Sequence, residues 1–302
     1  MSKDISSNHM IKGIRGSRSE RADGRLSKRV RKITMGIVAL ILSTLIFWIP
    51  FYFVIINSLK NQAESADMSM AWPTSFHFLD NYKAVLTASD YMLIRAFINS
   101  TLLTVLSISI LVIVAAMAGF VLQRREGGRT SSFINFLVLA GLMIPPAIVP
   151  TIWVLDSIGL FKTLAGITLI EVALHFPFAA ILYKAFVATL PREVDESALI
   201  DGCGGGRLFL SIIFPLLKPV TSTVIVLTSI NVFNDFVNPL YFFPGADNAT
   251  IQLTLYNFMS RFTTSWNLLF ADIVLISIPP LILFIFFNKK IVAGMTAGAV
   301  KG

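Results

Sequence analysis

Six apolar runs, each long enough to cross a lipid bilayer, alternate with polar segments along this chain. Their approximate limits are 34–57, 96–121, 132–154, 165–187, 219–242 and 268–288. About 20 apolar residues in a helix satisfy their own backbone hydrogen bonds across the lipid core. Transmembrane strands would be shorter and would alternate, which these runs do not. The pattern predicts an all-α integral membrane protein of about six transmembrane helices. Between the fourth and fifth runs, from Pro191 to Pro219, the chain turns polar. Pro191 is a start signal, and Glu193 to Asp201 reads as a short amphipathic helix. Its acidic residues Glu193, Asp195 and Glu196 lie near its N-terminus, where the helix dipole favours them. Gly202 ends it, and Gly204-Gly205-Gly206 is expected to make a sharp turn rather than helix. Phe209, Leu210, Ile212 and Ile213 begin a second apolar segment, and Pro215 and Pro219 mark the entry into the fifth span.

Charge sets the orientation. The first 32 residues hold Lys3, Lys12, Arg15, Arg18, Arg21, Arg25, Lys28, Arg29, Arg31 and Lys32. With the N-terminus in the cytoplasm, only Lys60, Lys83, Arg95, Lys162 and Arg261 of the 25 Lys and Arg lie outside. The positive-inside rule therefore places both termini and the 189–218 loop in the cytoplasm. Residues 1–32 read as a solvated, disordered basic head, and 33–302 as the membrane domain. The run from Ile33 to Ile56 is too long for a secretory signal and lacks a small-residue cleavage site, so it reads as a first span. Composition agrees: 55% hydrophobic and 14% charged, with mean hydropathy +0.75 and net charge +8. Two outside loops are substantial, 58–95 and 243–267, and the first is expected to form an ordered, partly helical cap.

Little in the chain suggests catalysis. His9, His77 and His175 are scattered, and Cys203 is the only cysteine. No metal-ligand spacing occurs, and no Gly-x-x-x-x-Gly-Lys-[Ser/Thr] phosphate loop. The informative polar residues sit inside the spans. Asn231, Asn234, Asp235 and Asn238 are spaced to share one face of the fifth helix, and Glu171 and His175 are one turn apart in the fourth. Such groups either line a hydrophilic path or hold helices together by hydrogen bonds. Asp272 is expected to meet water or a partner near the outer end of the sixth span. Pro145-Pro146, Pro177 and Pro279-Pro280 are expected to bend their helices.

The 189–218 loop resembles the cytoplasmic coupling loop of bacterial ABC importer permeases, whose pattern is Glu-Ala-Ala, three residues, Gly, nine residues, Ile, one residue, Leu-Pro. Glu196, Ala198, Gly202, Ile212 and Pro215 match it, while Ser197 and Phe214 depart from it. The tail from Gly294 to Gly302 resembles the C-terminus of the MalG-like subunit of maltose-type and multiple-sugar permeases. Phe233-Asn234-Asp235-Phe236 with Pro239 is similar to a segment of the same group. The resemblance implies a permease without catalytic residues, metal or cofactor of its own, in the bacterial cytoplasmic membrane. It implies a second related permease, two ATPase subunits that bind ATP and Mg, and an extracytoplasmic solute-binding protein that delivers a sugar or oligosaccharide. It implies that Glu193, Glu196, Ser197, Ala198, Asp201, Gly202, Ile212 and Pro215 belong to an ATPase-coupling surface, reached also by Gly294, Gly298 and Lys301 of the tail. Asn231, Asn234, Asp235, Asn238, Glu171 and His175 are then candidates for the translocation path. An importer of a non-sugar solute and a secondary transporter driven by an ion gradient are the alternatives.

Overall fold

The computed structural model describes residue 31 and residues 33–259 and 264–299; in the last helix, the side chains at 283 and 287–299 lie outside the description. The basic head, apart from Arg31, therefore lies outside the described residues. The chain runs through α1 (Ile33–Ser58), α2 (Gln62–Ala66), α3 (Phe78–Arg124), α4 (Arg129–Met143), α5 (Ile148–Ser157), α6 (Leu164–Val187) and α7 (Glu193–Ile200). A continuous helical segment follows, made of α8 (Gly205–Arg207), a π-helical stretch Leu208–Ile213 and α9 (Phe214–Leu216). Then come α10 (Lys218–Phe233), α11 (Val237–Phe242), a 3₁₀ helix Ile251–Phe258 and α12 (Trp266–Ala299).

Among the described residues four helices, α1, α3, α6 and α12, are each long and apolar enough to span a membrane, and two bent pairs, each counted as one span, bring the total to six. Sequence chemistry accounts for the bends. α4 and α5 meet at 119° across Pro145-Pro146, which supply no N–H and push Ile144 into extended backbone. Gly205–Leu216 and α10 meet at 76° at Leu217, between Pro215 and Pro219. By contrast, α6 runs through Pro177 and α12 through Pro279 and Pro280 without ending.

The fifth run differs from the expected single helix over 219–242. α10 stops at Phe233, and α11 begins only at Val237. Pro239 has no N–H to bond the Asp235 carbonyl, which weakens the helix at this point. Asp235 Oδ1 instead accepts from the N–H groups of Val237 (2.9 Å) and Asn238 (3.3 Å), starting α11 afresh. Asn231 and Asn238 thus stand on different helices, not on one continuous face.

At 47 residues α3 would be about 70 Å long if straight, far beyond a hydrocarbon core of about 30 Å. It is broken at Ala88–Tyr91, where Ser89, Asp90 and Tyr91 have φ of 48°, 57° and 57°. The first arm packs against the segment that follows α1. There Asn81 Nδ2 donates to the carbonyls of Ser58 and Lys60, both at 2.8 Å, and Asn81 Oδ1 accepts from Asn267 at 2.7 Å. Lys60 is buried, and its ammonium donates to Ser69 O, Ser69 Oγ and Asn57 Oδ1 at 2.7, 3.0 and 3.2 Å. Those bonds offset the cost of burying its charge.

The inner core forms where the spanning arm of α3 lies against α6. Ala115, Ala116, Ala179 and Ala180 are fully buried at the contact. Small residues let the backbones approach closely, as membrane helices need when lipid offers no hydrophobic drive between them. Gly119 is the extreme case, since a Cβ there would stand 2.6 Å from Tyr183 Cβ and 2.8 Å from Lys184 N. The same core continues down through Leu208, Phe209, Ile213 and Leu217 to Ala198 of α7. The polar loop is therefore packed into the base of the bundle. α1 is different: it is apolar on all sides, and the rest of the chain covers almost none of it.

Candidate coupling surface and intramembrane polar cluster

α7 has two faces. Val194 and Asp195 turn inward, and so does Ala198 one turn further on. Glu193, Glu196, Ser197, Leu199 and Ile200 are exposed, Ile200 by 86%. Its first turn holds all three acids, and Asp195 N and Glu196 N donate to Arg192 O. Ser197 Oγ returns a bond to Glu193 O at 2.7 Å. The helix closes at Asp201, and Gly202 takes φ +79°, the left-handed conformation that favours glycine. Cys203 N then donates to Ala198 O.

The sharp turn sits at Gly202 and not in the glycine run. Gly204 is extended, and Gly205 and Gly206 already belong to α8. Their neighbours explain this: Leu208, Phe209 and Ile213 gain enough contact in the core to draw the segment into helix, with Phe209 between Phe120 and Phe214. Ile212 is half-buried against that core, while Pro215 and Leu210 are exposed. Gly294 and Gly298 fall within α12, but their surroundings and all of Lys301 lie outside the described residues.

No motif or spacing points to the side chain that anchors this surface. Arg124, the last residue of α3, forms an ion pair through Nε with Asp195 Oδ2, and its Nη2 is 3.4 Å from Oδ1. Both Nη atoms donate to Leu190 O at 3.3 Å. The two side chains are only 14% and 12% exposed. Beside them, Lys184 Nζ at the end of α6 pairs with Glu126 Oε1 at 3.1 Å and donates to Asn135 Oδ1 at 3.2 Å. Arg124 had counted only as one of the inside charges. Its partner is 71 residues away, beyond any periodicity.

The polar residues of the spans do meet in part. Glu171 is fully buried on α6, and its Oε1 accepts from Asn238 Nδ2 at 3.2 Å. The same amide donates to Asp235 Oδ2 at 2.5 Å. His175 Nδ1 lies 2.9 Å from Glu171 O and 3.6 Å from Glu171 Oε2, as their spacing anticipated. Asn234 Oδ1 accepts from Gln252 Nε2 at 3.1 Å, a partner from the outer loop that spacing could not show. Asn231 and Asn234 are exposed and Asp235 is half-buried. Asp272, expected to meet water or a partner, is fully buried instead, its Oδ2 accepting from Thr254 Oγ1 at 2.9 Å. The 3₁₀ helix folds back over it, which its own helix could not reveal.

A bundle of up to six apolar spans, broken at prolines and carrying a packed amphipathic loop on one end, defines a multi-pass membrane transport component. Residues 112–297 match the family model "Binding-protein-dependent transport system inner membrane component", and the chain belongs to that family. It is 33% identical over 275 residues to a probable starch degradation products transport system permease protein (AmyC) of Thermoanaerobacterium thermosulfurigenes, covering 90% of this chain and 98% of that one. It is 31% identical to the melibiose/raffinose/stachyose import permease protein MelC of Bacillus subtilis, covering 84% and 92%. Its fold is shared by a chain of a bacterial ABC transporter involved in the import of the acidic polysaccharide alginate, with TM-score 0.75 and 18% identity, covering 87% and 97%.

Proposed function

We propose that this chain is the permease subunit of an ATP-driven ABC importer that takes a sugar or oligosaccharide from an extracytoplasmic binding protein. The names of the relatives support the sugar class. The observation that carries the mechanism is the two-faced α7. Leu199 and Ile200 project from a helix whose other face is locked into the core, and Leu210 of the following π-helical stretch is exposed as well. A free apolar edge on a polar loop fits a partner groove. The chain has no phosphate loop, so ATP and Mg belong to two partner ATPases.

In this reading Glu193, Glu196, Ser197, Asp201 and Gly202 meet an ATPase, and Ala198, Ile212 and Pro215 shape the support beneath. Gly294, Gly298 and Lys301 of the tail reach the same ATPases. Both termini lie in the cytoplasm of a bacterium, by the Lys and Arg distribution. The uncovered α1 and the exposed amides Asn231 and Asn234 turn towards a second, related permease. Polar groups on an exposed face are costly in lipid, so that face borders a protein partner or a wet path. Asn231, Asn234 and Asp235 line the sugar path, whereas Glu171 and Asn238 join α6 to α11 and His175 pairs with Glu171 within α6.

The test uses Glu196→Lys and Gly202→Asp in the complete reconstituted importer. Binding-protein-stimulated ATP hydrolysis is lost while the chain stays in the membrane. Wild-type stimulation in both variants refutes the coupling surface.

A further inference from the structure

The Arg124–Asp195 pair joins two elements that the backbone does not join directly. α7 follows α6 in the chain, through residues 188–192, whereas α3 ends more than sixty residues earlier. Without a side-chain tie, a pull on α7 reaches α6 first and α3 only through apolar contact. Apolar contact between helices resists separation weakly in direction, because it has no angular preference. An ion pair that carries a guanidinium hydrogen bond to the carboxylate is directional and constrains orientation as well as distance.

Arg124 reaches Asp195 through Nε and Nη2 and also donates to Leu190 O and, at 3.5 Å, to Pro191 O. One side chain thus holds the exit of α6, the linker and the first turn of α7. Its guanidinium also lies 6.0 Å from the centre of the Phe120 ring, one turn back on α3. Asp195 is buried on the inward face of α7, so it is unavailable to a groove that takes the outward face. This separates its role from that of Glu193 and Glu196.

We infer that Arg124 and Asp195 are positioning residues: they clamp α7 to the end of α3, so that a force applied to α7 moves α3 and α6 as one body. The inference rests on the coupling reading above. Its test is independent of the transported solute. In a Cys203→Ser background, spin labels are placed at Arg192→Cys, the N-cap of α7, and Val121→Cys on α3, both exposed positions. Their separation is measured in the full complex, without nucleotide and with ATP plus vanadate.

In the wild-type pair the separation stays constant between the two states. In Arg124→Gln, and in the milder Asp195→Asn, ATP shifts it by several ångströms. The swap Arg124→Asp with Asp195→Arg restores constancy, which a purely structural loss would not do. A separation that shifts equally with and without the pair, or that stays constant in both single variants, overturns the clamp. Docking is read separately, from a label at Ile200→Cys that loses mobility when the ATPases are added. If that label stays mobile, the coupling reading fails, whatever the first pair shows.

Discussion

Gly119→Ala adds one methyl group at the closest approach of α3 and α6. That Cβ would stand 2.6 Å from Tyr183 Cβ, 2.8 Å from Lys184 N and 3.0 Å from Ala180 O. Ordinary carbon contacts are about 3.5–4.0 Å, so the helices must part by roughly 1 Å. Two of the three atoms met are backbone, and no rotamer change can move them. Overpacking of this kind costs about 1–3 kcal/mol. Alanine returns about 1 kcal/mol through better helix propensity. The net expectation is a loss of about 0–2 kcal/mol, which is about 1–3 kcal/mol relative to a helical glycine-to-alanine change that meets no neighbour, or a thermal midpoint about 2–5 °C below such a control for a chain of 302 residues. Parting the helices also loosens Ala115, Ala116, Ala179 and Ala180, which share the contact. Gly36→Ala is the control, because nothing lies within 4 Å of its added methyl. The assay is thermal unfolding in detergent, followed by the fraction remaining monodisperse. A Gly119→Ala protein as stable as the Gly36→Ala control would refute the close packing on which the inner core is built.

Asn81→Ala removes two bonds to the carbonyls of Ser58 and Lys60 and strands Asn267. A loss of about 2–3 kcal/mol is expected, seen as faster proteolysis within residues 58–80, and unchanged cleavage there would count against the cap. Gly202→Val forces a β-branched residue to φ +79°, at a cost of about 1–2 kcal/mol, and should weaken ATPase binding more than it lowers membrane abundance. Asn234→Leu is expected to reduce flux with assembly retained, whereas Glu171→Leu, which removes the bond between α6 and Asn238 of α11, is expected to reduce assembly first. Equal effects on protein level would assign both positions to packing. Tyr183→Phe removes the bond to Thr221 Oγ1 between α6 and α10, for a loss of about 1 kcal/mol in the same unfolding assay.

Much of this molecule is local, and local features can be read from the order of residues. A helix that must satisfy its backbone in lipid announces itself by length and apolarity, so the runs at α1, α3, α6 and α12 stand out. The two-faced α7 and its stop at Gly202 follow from acids at a helix start and from a position needing positive φ. Glu171 and His175 meet because one helical turn separates them. What the order of residues could not decide depends on distant partners. The glycine run reads as a turn, yet Leu208, Phe209 and Ile213 find a core between α3 and α6 that draws it into helix. Asp272 reads as wet until Thr254 closes over it. Arg124 reads as one more inside charge until folding brings Asp195 beside it. Backbone geometry and lipid solubility act over a few residues, and sequence alone settles them. Packing and ion pairing act over ångströms between segments, and only the assembled bundle sets those distances.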